Sequence, residues 1–366
     1  MIVDNPEVTL DIEAHGIPDD ARDAPFLDWL CSAVVEGDDG RTYWFGTSPL
    51  ILPLEQREIW NLEISWETGA VRQIPGSIYK QADFPPVGAT TQHVLPAGTL
   101  CVEERETEVA VRLGDNFQVI CKDDKTWHYT VADPEKGISA EFVHRGAGFP
   151  TWYGREKSSY LTPHSIAYGY NWSGTVEGTL TVDGRTVNFK GKGIRERYIA
   201  VDSSAAEIGG WEDWMWFHFD GVFGSLYEMK LGQKDMSLNV SGAGYFPAGN
   251  FEIEHQDWAW LPALGGFIPS RYKVTVEVEA GTLTFFATAV GATVWGVTTK
   301  PPATPVATLN WDRLEGTFTD KQGNKQVLSG GFGGVSIRQW RSYPDIFGAM
   351  LANADGLQPT DRMTTL

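Results

Sequence analysis

Apolar and polar residues alternate with a period of two along almost the whole chain, and convincing helical periodicity is nearly absent. The clearest stretch is Arg271 to Val278, where Tyr272, Val274, Val276 and Val278 share one face and Arg271, Lys273, Thr275 and Glu277 the other. A turn at Ala280–Gly281 leads into TLTFFATAV, which predicts a hairpin. Asp39–Gly40, Asp183–Gly184 and Asp220–Gly221 each interrupt β-rich runs, as hairpin turns do. Helix is expected only after Pro344, in DIFGAMLANA, and around Ala21–Leu30. The pattern predicts an all-β protein with mainly antiparallel strands. The 15 Trp, 12 Tyr and 18 Phe, with 40 Gly and 20 Pro, fit short strands and tight turns around aromatic interiors.

A repeat divides the chain. Residues 177–193 read EGTLTVDGRTVNFKGKG and residues 315–333 read EGTFTDKQGNKQVLSGGFG, an offset of 138 residues. That is about the size of one β-barrel or sandwich domain. Two similar domains are therefore expected, 1–205 and 206–366, with the boundary in the small, polar stretch Asp202–Ala206. The Pro-rich segment 298–305 reads as a connection within the second domain.

Against 29 Lys and Arg stand 48 Asp and Glu, a net charge of −19 that repels phosphate backbones and anionic membrane surfaces. Nucleic acid is thereby excluded as an expected partner. No apolar run is long enough to span a bilayer as a helix, and the N-terminus lacks a basic region followed by an apolar stretch, so a cytoplasmic location is expected. Cys31, Cys101 and Cys121 are too scattered for a disulfide framework or a metal site and read as buried thiols. No phosphate loop, dinucleotide fingerprint or ligand-spaced His/Cys cluster is present, so neither metal nor cofactor is expected.

Three segments could carry chemistry. In GKGIRERY, Glu196 lies between Arg195 and Arg197, followed by Tyr198. Flanking positive charge would keep that carboxylate ionised. It is either a solvated ion-pair partner at a strand end or a working carboxylate at a barrel mouth. In WEDWMWFHFDG, alternation places Trp214, Trp216 and His218 on one face and Met215, Phe217 and Phe219 on the other, so both faces should be covered. His218 is either a core histidine or an acid–base group facing a pocket. The third segment holds Trp152 and Tyr153, then His164, Tyr168, Tyr170 and Trp172, which line either a core or an apolar ligand cavity. Trp66 is open to the same two readings.

These features resemble a superfamily that includes the carotenoid 1,2-hydratases, kievitone hydratase and the fungal lipocalin-like Diels–Alderases. The resemblance rests on the hairpin GTVEGTLTVDGRTVNFKGKG, on the Trp-rich strand at Trp211–Phe219 and on a partial match to Gly-x-Gly-x-x-Asp-His-x-Trp-Gly. Gly191 and Gly193 match the glycines and Glu196 the acidic position, whereas Arg197 replaces the His and no Trp-Gly follows. The segment 315–340 is similar to the family's closing hairpin. The resemblance implies two tandem lipocalin-like antiparallel β-barrel domains. It also implies a cofactor-free enzyme that hydrates or cyclises an apolar unsaturated terpenoid, polyene or polyketide. For such an enzyme, the residues' own positions make Glu196, which also matches the motif, and His218, which shares a strand face with Trp214 and Trp216, the expected catalytic pair, with Trp66, Trp152, Tyr153, His164, Tyr168, Tyr170, Trp172, Tyr198, Trp214 and Trp216 expected to line the substrate site. A non-catalytic carrier of a hydrophobic small molecule needs the aromatic cavity but no acid or base within it.

Overall fold

The computed structural model describes residues 7–14, 26–52, 56–86, 88–153, 158–162, 165–201, 211–229, 234–296 and 305–338. Among these, one short helix, Leu10–Ala14, accompanies strands gathered into a fourteen-stranded and an eleven-stranded sheet. None of the described helices is long and apolar enough to cross a membrane.

Each sheet wraps its own core, and in each an early strand pairs with the last one in the same way. In the first, Cys31–Gly37 pairs with Thr42–Leu52 on one side and with the late strand Arg185–Val201 on the other. In the second, Trp211–Phe219 pairs with Val222–Met229 on one side and with the late strand Lys325–Arg338 on the other. The two repeated sequences are thus the two closing hairpins, Ser165–Val182 with Arg185–Val201 and Pro305–Asp320 with Lys325–Arg338. The molecule is two antiparallel β-barrels in tandem.

Local sequence explains the sharpest features. Asp183 and Gly184 both take positive φ, 50° and 72°, as a two-residue hairpin turn that follows strand twist requires. The turn pins the register at Val182↔Arg185, and a one-residue slip would invert every side chain of the hairpin. Tyr272, Val274, Val276 and Val278 all face the second core, as their alternation predicts. Met215, Phe217 and Phe219 join them, while Trp214 and Trp216 point the other way into a separate apolar layer between the barrels.

Several expectations change. Phe26–Asp28 is a strand, so the helix expected around Ala21–Leu30 does not extend that far, and the stretch after Pro344 lies outside the described residues. Cys31 and Cys121 are buried, but Cys101 is exposed on the short strand Leu100–Glu104. The expected boundary at 202–206 and most of the 298–305 connection also lie outside the described residues. One feature had no sequence signal: the hairpin of Ala70–Gln73 and Lys80–Asp83 joins the second sheet, with Lys80 and Gln81 running parallel to Ala259 and Trp260. An ion pair of 2.6 Å from Lys80 to Asp257 and the burial of Ala82 in the second core fix it there.

The centre of the first barrel is polar. Glu13, from the short helix, accepts hydrogen bonds from Arg195 at 2.8 Å, from Trp127 at 2.9 Å and from the Tyr170 hydroxyl. Burial pushes the Glu13 carboxyl up, but Arg195, the Tyr170 hydrogen bond and Arg197 outweigh it and hold it below its ordinary value. Arg197 stacks on Trp29 at 3.8 Å and donates to the Asp28 carbonyl at 2.9 Å. Breaking such a pair from one side strands a buried charge. Glu13→Ala should therefore cost about 3–5 kcal/mol in urea unfolding, whereas Glu13→Gln combined with Arg195→Met should recover most of that loss.

Candidate active site between the two barrels

The strand Arg185–Val201 decides where the functional groups lie. Alternation sends Arg195 and Arg197 into the first barrel and turns Ile194, Glu196 and Tyr198 outward, against the second barrel. The expectation that flanking arginines keep Glu196 ionised therefore fails, because chain neighbours occupy opposite faces. Nor is Glu196 a solvated strand end, since only 7% of its surface is exposed.

Outside the first barrel lies a tight crevice of roughly 90 Å³. Asp28, Ser32, Trp44, Glu63, Glu196 and Tyr198 form one wall, and Trp214, Trp216, Tyr227, Thr293, Asn310 and Ser336 form the other. Gly333 and Gly334 lie at its edge, where a side chain on Gly333 would sit 2.1 Å from the Trp216 carbonyl. The crevice is an inter-barrel site, and neither barrel contains it alone.

Three carboxyls line this space, and two of them, Asp28 and Glu196, act on each other. Burial first, and the charge of Asp28 second, push Glu196 well above the usual carboxylate range. Burial lifts Asp28 to about 7 despite the pull of Arg197 and Arg195. Burial likewise lifts Glu63 to about 7, opposed by a hydrogen bond from Thr293 across the crevice. The Tyr153 hydroxyl donates to Glu196 Oε1, and the Glu196 amide donates to the Leu30 carbonyl at 2.8 Å. Asp28 Oδ1 and Trp44 Nε1 are buried without a hydrogen-bond partner among the described residues. Asn171, cross-strand from Glu196, accepts from Trp214 Nε1 at 2.9 Å and ties the two barrels together.

Of the residues singled out from the sequence, Glu196, Tyr198, Trp214 and Trp216 come together at the crevice, with Tyr153 behind Glu196. Trp152, Tyr170 and Trp172 instead pack inside the first barrel. Trp66 is half-buried, edge-on to Tyr43 in a surface groove that includes Asp39 and Arg41. Tyr168 is half-buried opposite Ile199, and His164 lies outside the described residues. His218 does not line the crevice. It stacks on Phe223 at 5.0 Å, and burial, with Lys192 and His144 nearby, lowers it to about 3. An imidazole so placed is neutral at physiological pH and is no proton donor.

Asp28, Glu63 and Tyr227 were missed. Asp28 lies where helix was expected and Glu63 in a strand with no marked motif, and only a second barrel laid over that face makes it an interior. Among the described residues, no three His, Cys, Asp or Glu side chains assemble in a metal-holding arrangement.

No protein-family model matches the chain, and no curated protein matches it in sequence. Solved structures do match in fold. A protein assigned as AttH from Nitrosomonas europaea aligns with a TM-score of 0.59 at 13% identity, over 92% of this chain and 97% of that one. Kievitone hydratase from Nectria haematococca aligns at 0.55 and 10% identity, over 92% and 97%. CghA, in a structure with Sch210972, aligns at 0.55 and 12% identity, over 86% and 89%. The chain shares with these proteins the lipocalin-like two-barrel architecture across nearly its whole length.

The raised carboxyls make stability depend on pH. A carboxyl whose folded pKa lies above its unfolded value of 3.8 contributes fully below that value, and the contribution is lost as pH rises towards the folded value near 7. Asp28→Asn should flatten the fall in unfolding free energy between pH 4 and pH 8, by on the order of 1–4 kcal/mol, as read from urea titrations at both pH values.

Proposed function

We propose that this protein is an enzyme of hydratase or cyclase type that acts, with no resident cofactor, on an apolar unsaturated metabolite held between the barrels. The observation that carries this reading is the buried Asp28–Glu196 pair facing an aromatic crevice. Burial and mutual repulsion keep one proton on such a pair near neutral pH, which is the condition a general acid needs. A carrier gains nothing from two desolvated carboxyls.

For hydration, Glu196 donates its proton to one alkene carbon, and the positive charge develops on the other. The faces of Trp214, Trp216 and Trp44 and the new carboxylate stabilise that charge. A desolvated cation–π contact contributes about 2 kcal/mol. Water then adds to the cationic carbon and loses a proton to ionised Asp28. Proton return from Asp28 to Glu196 completes the cycle. For cyclisation the same walls hold the substrate folded, an effect that reaches about 7–11 kcal/mol in ideal intramolecular cases. The crevice is small against the few hundred Å³ that enclose a drug-sized ligand. It therefore takes the reacting end of a long substrate, or it opens as its aromatic walls rearrange.

Mass spectrometry of small molecules that co-purify with the protein, before and after incubation, tests the reading. A product heavier by one water marks hydration, and one of unchanged mass but altered retention marks ring closure. With that substrate, Glu196→Gln should lower turnover at least tenfold, about 1.4 kcal/mol of transition-state stabilisation, with unchanged circular dichroism. His218→Phe should stay within about twofold of wild type, because the imidazole lies outside the crevice. Equal turnover in the Glu196 variant and wild type would refute the acid assignment.

A further inference from the structure

The sheet ladder of the first barrel is interrupted between Asp28 and Cys31. Asp28 pairs with Tyr198 and Cys31 with Arg195, and Trp29 and Leu30 fall between them, opposite Arg197 and Glu196. Both carboxyls of the acid–base pair hang from this gap. The Glu196 amide donates to the Leu30 carbonyl at 2.8 Å, and the Leu30 and Tyr198 amides donate to the Asp28 carboxyl. Side chains of the first barrel replace the missing ladder. Arg197 donates to the Asp28 carbonyl at 2.9 Å, the Tyr129 hydroxyl to the Trp29 carbonyl at 3.2 Å, and Trp29 Nε1 to the Glu13 carbonyl at 3.1 Å. Among these donors Arg197 alone carries a charge. It is fully buried, and its guanidinium lies over the Trp29 ring at 3.8 Å. Burial lowers it to about 10, so it is a cation at physiological pH. Glu13 forms its ion pair with Arg195, and among the described residues Arg197 forms none.

We infer that Arg197 is the positioning residue of the acid–base pair: bonded to the Asp28 carbonyl and braced on Trp29, it fixes the segment 28–30 and makes Asp28 the member that carries the negative charge. This rests on the reading of Asp28 as base and Glu196 as acid and adds the residue that gives each its role. Arg197 never enters the crevice and acts through the backbone and through its charge. Of the charges that reach Asp28, Arg197 is the strongest and Arg195 the next, and both favour the carboxylate. The charge that reaches Glu196 is that of Asp28, which favours the protonated form. Glu63, the third carboxyl of the wall, hangs on a different strand and is held by Thr293. No lysine, arginine or histidine is among the described residues that line the crevice, so the bias comes from behind the strand. A buried guanidinium without an ion-pair partner of its own has its field to spend on the nearest carboxyl.

Carbon-13 NMR of the side-chain carboxyls in the full-length protein tests this without a substrate, with Asp28→Asn and Glu196→Gln assigning the two resonances. In the wild-type protein Asp28 should ionise at lower pH than Glu196. Glu196 ionising first would overturn the inference, whether or not any Arg197 variant folds. Arg197→Met should move the Asp28 titration up by about one pH unit or more, and Arg197→Lys, which keeps the charge, should bring it back to within about half a unit. An unmoved Asp28 titration in folded Arg197→Met protein, or a lysine variant that titrates like the methionine one, would overturn the inference and leave the proposed function standing. On the substrate found by co-purification, Arg197→Met should lower kcat at pH 7 about fivefold or more, with KM within about threefold. Because the base must be ionised, the acid limb of the kcat profile should move up in pH together with the Asp28 titration. A titration that moves while turnover and its pH profile stay unchanged would establish the link from Arg197 to Asp28 and strike Asp28 from the proposed mechanism.

Discussion

A strand normally keeps one face for a core and one for water, but the end of Arg185–Val201 has no water face. From Ile194 to Ile199 every side chain is buried, three against the interior of the first barrel and three against the second barrel. Charged residues on such a strand must find partners or change protonation state, because an isolated charge in a low-dielectric interior is too costly. The two faces meet this demand in opposite ways. Arg195 and Arg197 remain cations, held by Glu13 and by Trp29. The carboxyl of Glu196, one residue from each, is pushed well above its ordinary range by burial.

That division separates structural from chemical electrostatics. Inside the first barrel, Glu13 draws hydrogen bonds from Arg195, Trp127 and Tyr170, and its charge is matched and ordered. Between the barrels, no lysine, arginine or histidine is among the described residues that line the crevice, and Asp28 Oδ1 lacks a partner among them. A satisfied buried network rigidifies a fold. Perturbed carboxyls in a cleft, short of partners, are the pattern expected of a working site. Both networks hang from one strand, so the position of Glu196 follows directly from the packing of the barrel.

The crevice also depends on how the barrels are joined. Asn171 of the first barrel accepts from Trp214 of the second, Thr293 of the second donates to Glu63 of the first, and the hairpin 70–83 adds its strands to the second sheet. These links hold the two walls in register without filling the space between them. Glycines at 333 and 334 keep the second wall close to backbone thickness there. The site is therefore a product of docking, and a change in the inter-barrel links would alter it even with every lining residue intact.

Much of this was legible in the linear sequence because period-2 alternation and two-residue turns act locally. The antiparallel strands, the Asp183–Gly184 hairpin turn, the repeated closing hairpins and the double burial of the Trp214–Phe219 strand all follow from short-range rules. Glu196 could be picked out, and so could its neighbours Tyr198, Trp214 and Trp216. Its partners could not. Asp28, Glu63 and Tyr227 are remote in sequence, and nothing in their own segments marks them until one barrel is laid against the other. His218 and Trp216 share a strand face in the sequence pattern, yet the crevice ends at Trp216 and the imidazole stacks on Phe223 beyond it. Alternation fixes which face a side chain takes. What covers that face, and hence which carboxyl is shifted by burial, is set by packing between segments far apart in the chain, and only the tertiary structure decided it.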